Sequence, residues 1–317
     1  MTRHSTQYHV RPARDQSEWE TCFTAVPQPH LMQAWAYGQA KHAAANWQVS
    51  RYVFERAGAP VAICQVLEKR LAGLRVVSRI NRGPLFLERE PSHEVREQVY
   101  QALRREWRLF SGGPLLIAPA LTLSDENQAI LHQAGFNKRT PPAWCSALIN
   151  LGMDEPTMLA RLSSTWRNRL RQSQRAGLVL RSSNSSEAVG WMMRMHAQNM
   201  QAKQFKGPST ALVTALHQAK PEDVIVLSAI LEGEPVGAML IARFGVSAEY
   251  YIGWFPAPAG RKVNSGNFLY WHAALEMKKA GHRWLDLGGY YSSDKFGHFK
   301  QGMNGTEYKL IGEWYCM

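Results

Sequence analysis

Apolar residues recur along the chain with two periods, and the switching between them lays out the elements. Helical spacing marks 30–47, 95–110 and 124–134, then 153–177, 187–203, 208–219 and 266–279. Short apolar runs bounded by turn residues mark strands at 51–54, 61–66, 74–80, 114–118 and 147–151. A second set follows at 178–181, 224–231, 236–244, 248–255 and 284–287. The punctuation agrees. Ser124 stands where an N-cap belongs, Ser163-Ser164 suggests a hinge, and Gly135, Gly177 and Gly281 stand where helices end.

The pattern repeats. AGAPVAICQV at 57–66 and EGEPVGAMLI at 232–241 are each a Gly-x-Pro turn entering an apolar strand, expected as hairpins with loops of three to five residues. A strand, a loop, a long helix and a short buried strand follow in the same order in both halves. The offset is 175 residues, which indicates duplication of a domain and not a solenoid. Two related α/β (α+β) domains are expected, 1–150 and 151–317, the second carrying most of the site.

Composition changes the picture in two respects. The 317 residues suffice for two cores, and a formal net charge of +12 favours an anionic partner: nucleic acid, phosphorylated metabolite or membrane surface. The first twenty residues have no apolar signal segment, and no apolar run of ~18 residues occurs, so a cytoplasmic protein is expected. The four cysteines form no C-x-x-C pair, and the histidines are scattered. No G-x-G-x-x-G, P-loop, G-x-S-x-G or H-E-x-x-H pattern is present, which disfavours dinucleotide, hydrolase-triad and metalloenzyme chemistry.

Candidate chemistry lies in the second half. Arg167, Arg171 and Arg175 share a helical face, and no carboxylate occurs from 157 to 186 to neutralise them. Such a row suits phosphates, which guanidinium groups bind bidentately; the competing reading is a solvated face. Lys203 and Lys206 flank Phe205 at the end of a helix. In the strand Tyr250-Tyr-Ile-Gly-Trp254, alternation sends Tyr250, Ile252 and Trp254 to one face and Tyr251 to the other. Trp284-Leu-Asp-Leu287 opens into Gly288-Gly289, and after a polar loop Phe299-Lys300-Gln-Gly302 presents a lysine beside a glycine turn. Of the nearby acids, Asp286 and Asp294, the first lies between two leucines and reads as structural.

These motifs resemble the Fem family of aminoacyl-tRNA-dependent transferases, known for building peptidoglycan cross-bridges. The resemblance rests on QAWAYGQAK early, WRNRLRQSQRAG at mid-chain and WLDLGG…FKQGMNG near the end, and runs from about Gln33 to Tyr315. It implies two tandem acyltransferase domains of the GNAT type. It further implies that Lys41 and Lys203 bind phosphates of a nucleotide- or lipid-linked acceptor. Trp35, Phe205, Tyr250 and Tyr251 would line the substrate cleft, and Phe299 with Lys300 would meet the aminoacyl-adenosine end. The chain departs from the family at Met303-Asn304, where Phe-Gly is usual, and lacks the long helical hairpin arm of the larger cross-bridge enzymes.

The expected reaction moves an amino acid from aminoacyl-tRNA to an amine acceptor, a peptidoglycan precursor or a peptide or small-molecule natural product. It requires no cofactor beyond that co-substrate and no metal; Lys300 is the candidate for stabilising the oxyanion. Two other readings stand beside it. One is an N-acyltransferase using acetyl-CoA or another acyl-CoA, which Arg261-Lys-Val-Asn-Ser-Gly266 matches only in part as a pyrophosphate loop. The other is a catalytically silent RNA-binding module.

Overall fold

The structure, a computed structural model, describes residues 8–109, 113–139, 145–256, 258–290 and 295–317. It divides into two units, Met1–Trp144 with Lys309–Met317, and Cys145–Tyr308.

The first unit begins with β1 (Tyr8–Pro12), α1 (Gln16–Ala25) and α2 (Trp35–Ala45), then the ribbon β2 (Gln48–Arg56), β3 (Ala59–Leu71) and β4 (Leu74–Asn81). The short β5 (Leu85–Phe86), α3 (His93–Leu109), β6 (Leu115–Ala118), α4 (Asp125–Gln133) and β7 (Asn137–Arg139) follow. The second unit opens with β8 (Cys145–Asn150), α5 (Glu155–Arg161), α6 (Ser164–Arg175) and β9 (Val179–Ser183). Next come α7 (Ser186–Lys203), α8 (Thr210–Ala219), β10 (Val224–Leu231), β11 (Glu234–Phe244) and β12 (Ser247–Trp254). It ends with α9 (Ala259–Lys262), α10 (Ser265–Lys279), β13 (Trp284–Asp286), α11 (Lys295–Gln301) and β14 (Thr306–Lys309). The last strand, β15 (Glu313–Cys316), returns to the first sheet.

The two sheets share one plan. The first runs β1-β2-β3-β4-β6-β15-β7 and the second β9-β10-β11-β12-β13-β8-β14. Each has a parallel pair at the same place, β4 with β6 and β12 with β13. Helices interrupt the strands at matching points, α3 and α10 before the second parallel strand, α4 and α11 after it. The duplication read from the hairpins is therefore a duplication of topology. The division differs from the expected one in two places. The strand expected to close the first half, β8, pairs with β13 in the second sheet, and the expected end of the second domain, β15, pairs with β6 and β7. Each unit thus takes its penultimate sheet position from a segment that sequence order assigns to the other.

Local chemistry explains the boundaries. Both Gly-x-Pro hairpins turn through two residues, not three to five. Ala57 and Gly58, and Glu232 and Gly233, all have positive φ, the type I′ geometry that matches strand twist. Ser163 accepts a hydrogen bond from the Trp166 amide, so the expected hinge is an N-cap, contributing about 1 kcal/mol. Gly281, at φ +85°, ends α10 as predicted.

Each unit has its own core. In the first, Phe54, Val66, Ile80, Tyr100 and Leu103 pack with Trp314 of β15. In the second, Leu227, Met239 and Ile241 of the sheet pack with Trp166 and Leu170 of α6 and Phe268, Leu269 and Trp271 of α10. Burial on one side of α6 leaves its arginines on the other.

Candidate active site

β12 and β13 pair through three residues only, Ser247 with Trp284, Ala248 with Leu285 and Glu249 with Asp286. Past that point β13 turns away through Gly288, at φ +74°. A side chain at Gly288 would place its Cβ 2.6 Å from the Tyr250 carbonyl oxygen, so only glycine fits this close approach.

Lys300 fills the space where the strands part. It lies on helix α11, just before Gly302, and its side chain, expected from sequence to be presented, is fully buried, at 0% exposure. Nζ donates to the carbonyls of Gly288 (2.9 Å) and Gly289 (3.4 Å), and lies 4.9 Å from the Tyr250 ring and 5.6 Å from that of Tyr290. Burial pushes the ammonium down to about 7, opposed by the charges of Asp286 and Glu249. A lysine that changes protonation near neutrality can switch between cation and base, and such shifts concentrate at working sites.

A polar layer supports it. Asp286, 7% exposed, accepts hydrogen bonds from the hydroxyls of Ser146 and Tyr308 and, at 2.8 Å, from the Gly288 amide. The carboxylate therefore fixes the same corner whose carbonyls hold Lys300. Tyr290 donates to Glu307 at 3.0 Å; burial first, then that hydrogen bond, raise its phenol pKa. Sequence reasoning passed over Ser146, Tyr308 and Glu307. They lie on strands whose partners depend on the exchanged β8, which no local pattern reveals. Asp294 lies outside the described residues.

Aromatic rings tie this centre to the basic helix. Phe299 packs against Trp166 of α6 (5.9 Å between centroids) and Tyr270 of α10 (5.3 Å), and Tyr270 stacks on Tyr250 (5.0 Å). The Ser163 amide donates to the Gly302 carbonyl at 2.9 Å, joining the start of α6 to the end of α11. Along α6, Arg171 and Arg175 are exposed, whereas Arg167 is half-buried and donates to the Ala160 carbonyl at 2.7 Å, closing the end of α5.

Other predicted positions fall elsewhere. The alternation expected for Tyr250, Ile252 and Trp254 is broken by a bulge, where Leu240 pairs with Ile252 and Ile241 with Tyr250. Tyr250 consequently stacks on α10, while Trp254 meets Trp191 of α7 edge-on at 5.4 Å. Tyr251 is the extra residue of that bulge. Lys203 is exposed at the end of α7, and Phe205, 40% exposed, meets the buried His196 edge-on at 5.8 Å. Lys41 and Trp35 belong to the first unit. Lys41 is half-buried, its ammonium pKa lowered by desolvation and then by Arg79 and Lys69. The Arg51 guanidinium lies 3.5 Å from the Trp35 ring centroid, so that face already has an occupant. Among the described residues no group of acids, histidines and cysteines is disposed to hold a metal.

Comparison with known proteins agrees with this fold. Residues 160–309 match the family model of the acetyltransferase (GNAT) domain. The crystal structure of FemX superposes with a TM-score of 0.81 at 13% identity, covering 97% of this chain and 96% of that one. A tandem GNAT protein from the clavulanic acid biosynthesis pathway gives 0.57 at 12% identity, with 98% of both chains covered. The C-terminal domain of a putative lysylphosphatidylglycerol synthetase from Agrobacterium fabrum gives 0.55 at 14% identity, covering 95% of this chain and 92% of that one. No curated protein matches the sequence. The chain carries a Fem-like tandem GNAT fold, with a GNAT acetyltransferase-type domain in its second unit.

Proposed function

We propose that the protein is an aminoacyltransferase that moves an amino acid from aminoacyl-tRNA to an amine acceptor, forming an amide. The observation that carries this reading is the physical link between α6 and α11. Trp166 packs on Phe299 and Ser163 bonds to Gly302, so a phosphate backbone held by Arg171 and Arg175 would run along a helix whose start abuts the residues flanking Lys300. The Fem-type fold and the resemblance in FKQGMNG support the same donor.

The chemistry asks little of the protein beyond holding and polarising. The ester to the ribose is already activated. A neutral acceptor amine attacks its carbonyl carbon to form the C–N bond and the oxygen becomes an oxyanion; as the carbonyl re-forms, the C–O bond to the ribose breaks and the ribose oxygen takes the proton that the amine nitrogen gives up. Lys300 supplies positive charge in a dry site where the strands part, worth ~3–4 kcal/mol if it faces the oxyanion. Positioning of the two substrates supplies much of the rest.

One observation favours a second donor, acyl-CoA. Asn264 begins α10 in a left-handed conformation with no side-chain cap, and the side-chain Nδ2 of Asn267, buried in the first turn, has no hydrogen-bond partner among the described residues. That helix start could receive a pyrophosphate. Affinity for charged tRNA and for acetyl-CoA, measured in parallel on the wild type and on Lys300→Ala, separates the two. Binding and turnover with aminoacyl-tRNA, turnover being lost in Lys300→Ala, is the expected result. Turnover with acetyl-CoA alone would overturn it.

A further inference from the structure

Three of the most exposed large apolar side chains fall on one hairpin of the first unit. β3 and β4 join through Ala72 and Gly73, both at positive φ, a two-residue turn. Leu71 and Leu74 face each other across it, and Val76 is the extra residue of a bulge between the pairs Arg70–Arg75 and Lys69–Val77. They are 72%, 73% and 45% exposed. Strand propensity does not require leucine at such positions, and the turn itself asks only for residues that tolerate positive φ.

Cations bracket this apolar end, in the order Lys69-Arg-Leu-Ala-Gly-Leu-Arg75. The ribbon's one nearby carboxylate, Glu68, is buried and pairs with Arg70 at 2.8 Å and Arg75 at 3.4 Å. One acid against three bases leaves the end of the ribbon positive. The base of the ribbon is also fixed. Lys69 donates to the carbonyls of Ala45 and Asn46 at the end of α2, and the Arg75 guanidinium lies 5.2 Å from the Trp107 ring. A rigid stem thus projects two leucines with a cationic collar beneath them.

We propose that this hairpin docks the protein on an anionic bilayer surface. Leu71 and Leu74 enter the boundary between headgroups and acyl chains, and Arg70, its side chain 48% exposed beside the buried Glu68, meets lipid phosphates. Interfacial binding of this kind grows with buried apolar area and with attraction to anionic lipids. Three side chains are too small a patch for a stable protein interface, which needs on the order of 1,000 Å². Among the described residues no helix is long and apolar enough to cross a membrane, so the contact is peripheral and reversible. Lys41 and Lys69 lie 5.9 and 5.1 Å from the Trp47 ring centroid, so the base of the ribbon adjoins a lysine that the family resemblance assigns to acceptor phosphates. Docking itself is a property of the hairpin and does not depend on the transfer reaction.

The test is co-sedimentation of the full chain with vesicles of phosphatidylcholine alone and of phosphatidylcholine with about one-third phosphatidylglycerol. The wild type is expected to bind the mixed vesicles, less tightly as salt rises. The double variant Leu71→Ser/Leu74→Ser should bind at least ~10-fold more weakly with an unchanged melting temperature, because both side chains are exposed. Absence of binding by the wild type, or equal binding by the double variant, would overturn the proposal. Sedimentation velocity adds a third outcome: a dimer that the same substitutions abolish would assign the hairpin to a second copy and overturn the lipid assignment.

Discussion

Replacing Lys300 with methionine separates the energetic burden of the buried ammonium from its use. In the folded protein burial brings this group to about 7, against an ordinary value of 10.5. Below both values the lysine is charged in the folded and unfolded states, and the full desolvation penalty is present. Between them the unfolded chain binds the extra proton, so wild-type stability rises with pH, by up to about 1.4 kcal/mol per pH unit. Integrated from about pH 6 to about pH 9, the gain is on the order of 3 kcal/mol.

A thioether at this position cannot titrate, so the advantage of Lys300→Met over wild type should be largest at low pH and shrink by that amount across the interval. The two hydrogen bonds to Gly288 and Gly289 are lost as well, which lowers the variant's curve by a nearly constant amount. Urea unfolding of both proteins at intervals over that range measures the difference directly. Parallel stability curves would refute the reasoning, because they would mean that Lys300 titrates alike in both states. The methionine variant should also lose transfer activity at every pH. A protein of equal or greater stability without turnover is the signature of a charge kept for function.

Three further outcomes follow from the same geometry. Gly288→Ala forces a Cβ to within 2.6 Å of the Tyr250 carbonyl oxygen in a left-handed conformation, and should cost ~1–3 kcal/mol in urea unfolding and reduce turnover; wild-type behaviour in both would dismiss the close approach. Asp286→Asn removes the charge that raises the Lys300 pKa, so the pH at which stability begins to rise should move below about 7; an unmoved onset would reduce Asp286 to a structural hydrogen-bond acceptor. Arg171→Glu/Arg175→Glu should weaken tRNA binding and flatten its dependence on log salt by ~1–2, leaving the melting temperature within a degree or two; an unchanged slope would return the row to a solvated face.

What the sequence disclosed about the fold was what short-range physics controls. The hairpin turns at Gly58 and Gly233, the N-cap at Ser124 and the helix stop at Gly281 depend on a few neighbouring residues, and all four are where the sequence puts them. Strand exchange is different. Nothing within Cys145–Asn150 distinguishes a strand that closes its own sheet from one that completes the other, because the buried alternation is the same in both. The bulge at Tyr251 shows the same limit at a smaller scale: strict alternation assigned Tyr250 to the face of Trp254, and one extra residue reversed it. Lys300 was legible as a residue and not as an environment. The sequence marks a lysine between an aromatic and a glycine, but the fully buried setting comes from the three-residue pairing of β12 with β13 and the corner at Gly288.

The duplicated plan supplies an internal comparison that sharpens the argument for the second unit. In the first unit the matching strands β4 and β6 pair through four residues, Ser78 to Asn81 with Leu115 to Ala118. The matching helix, α4, buries Ile130 and Leu131 and a neutral Asn127 that donates to the Thr122 carbonyl at 2.9 Å. It sends no cation into the sheet. The same topology therefore stands with an uncharged filling at this place, and the shared plan does not demand a buried lysine. Lys300, its Gly288-Gly289 corner and the Asp286 network are an addition that costs stability below about pH 7 and that, among the described residues, only one repeat carries. The acetyltransferase-type family match falls on that repeat, at residues 160–309. An element that the scaffold does without in one copy and keeps at a cost in the other is where the chemistry should be sought.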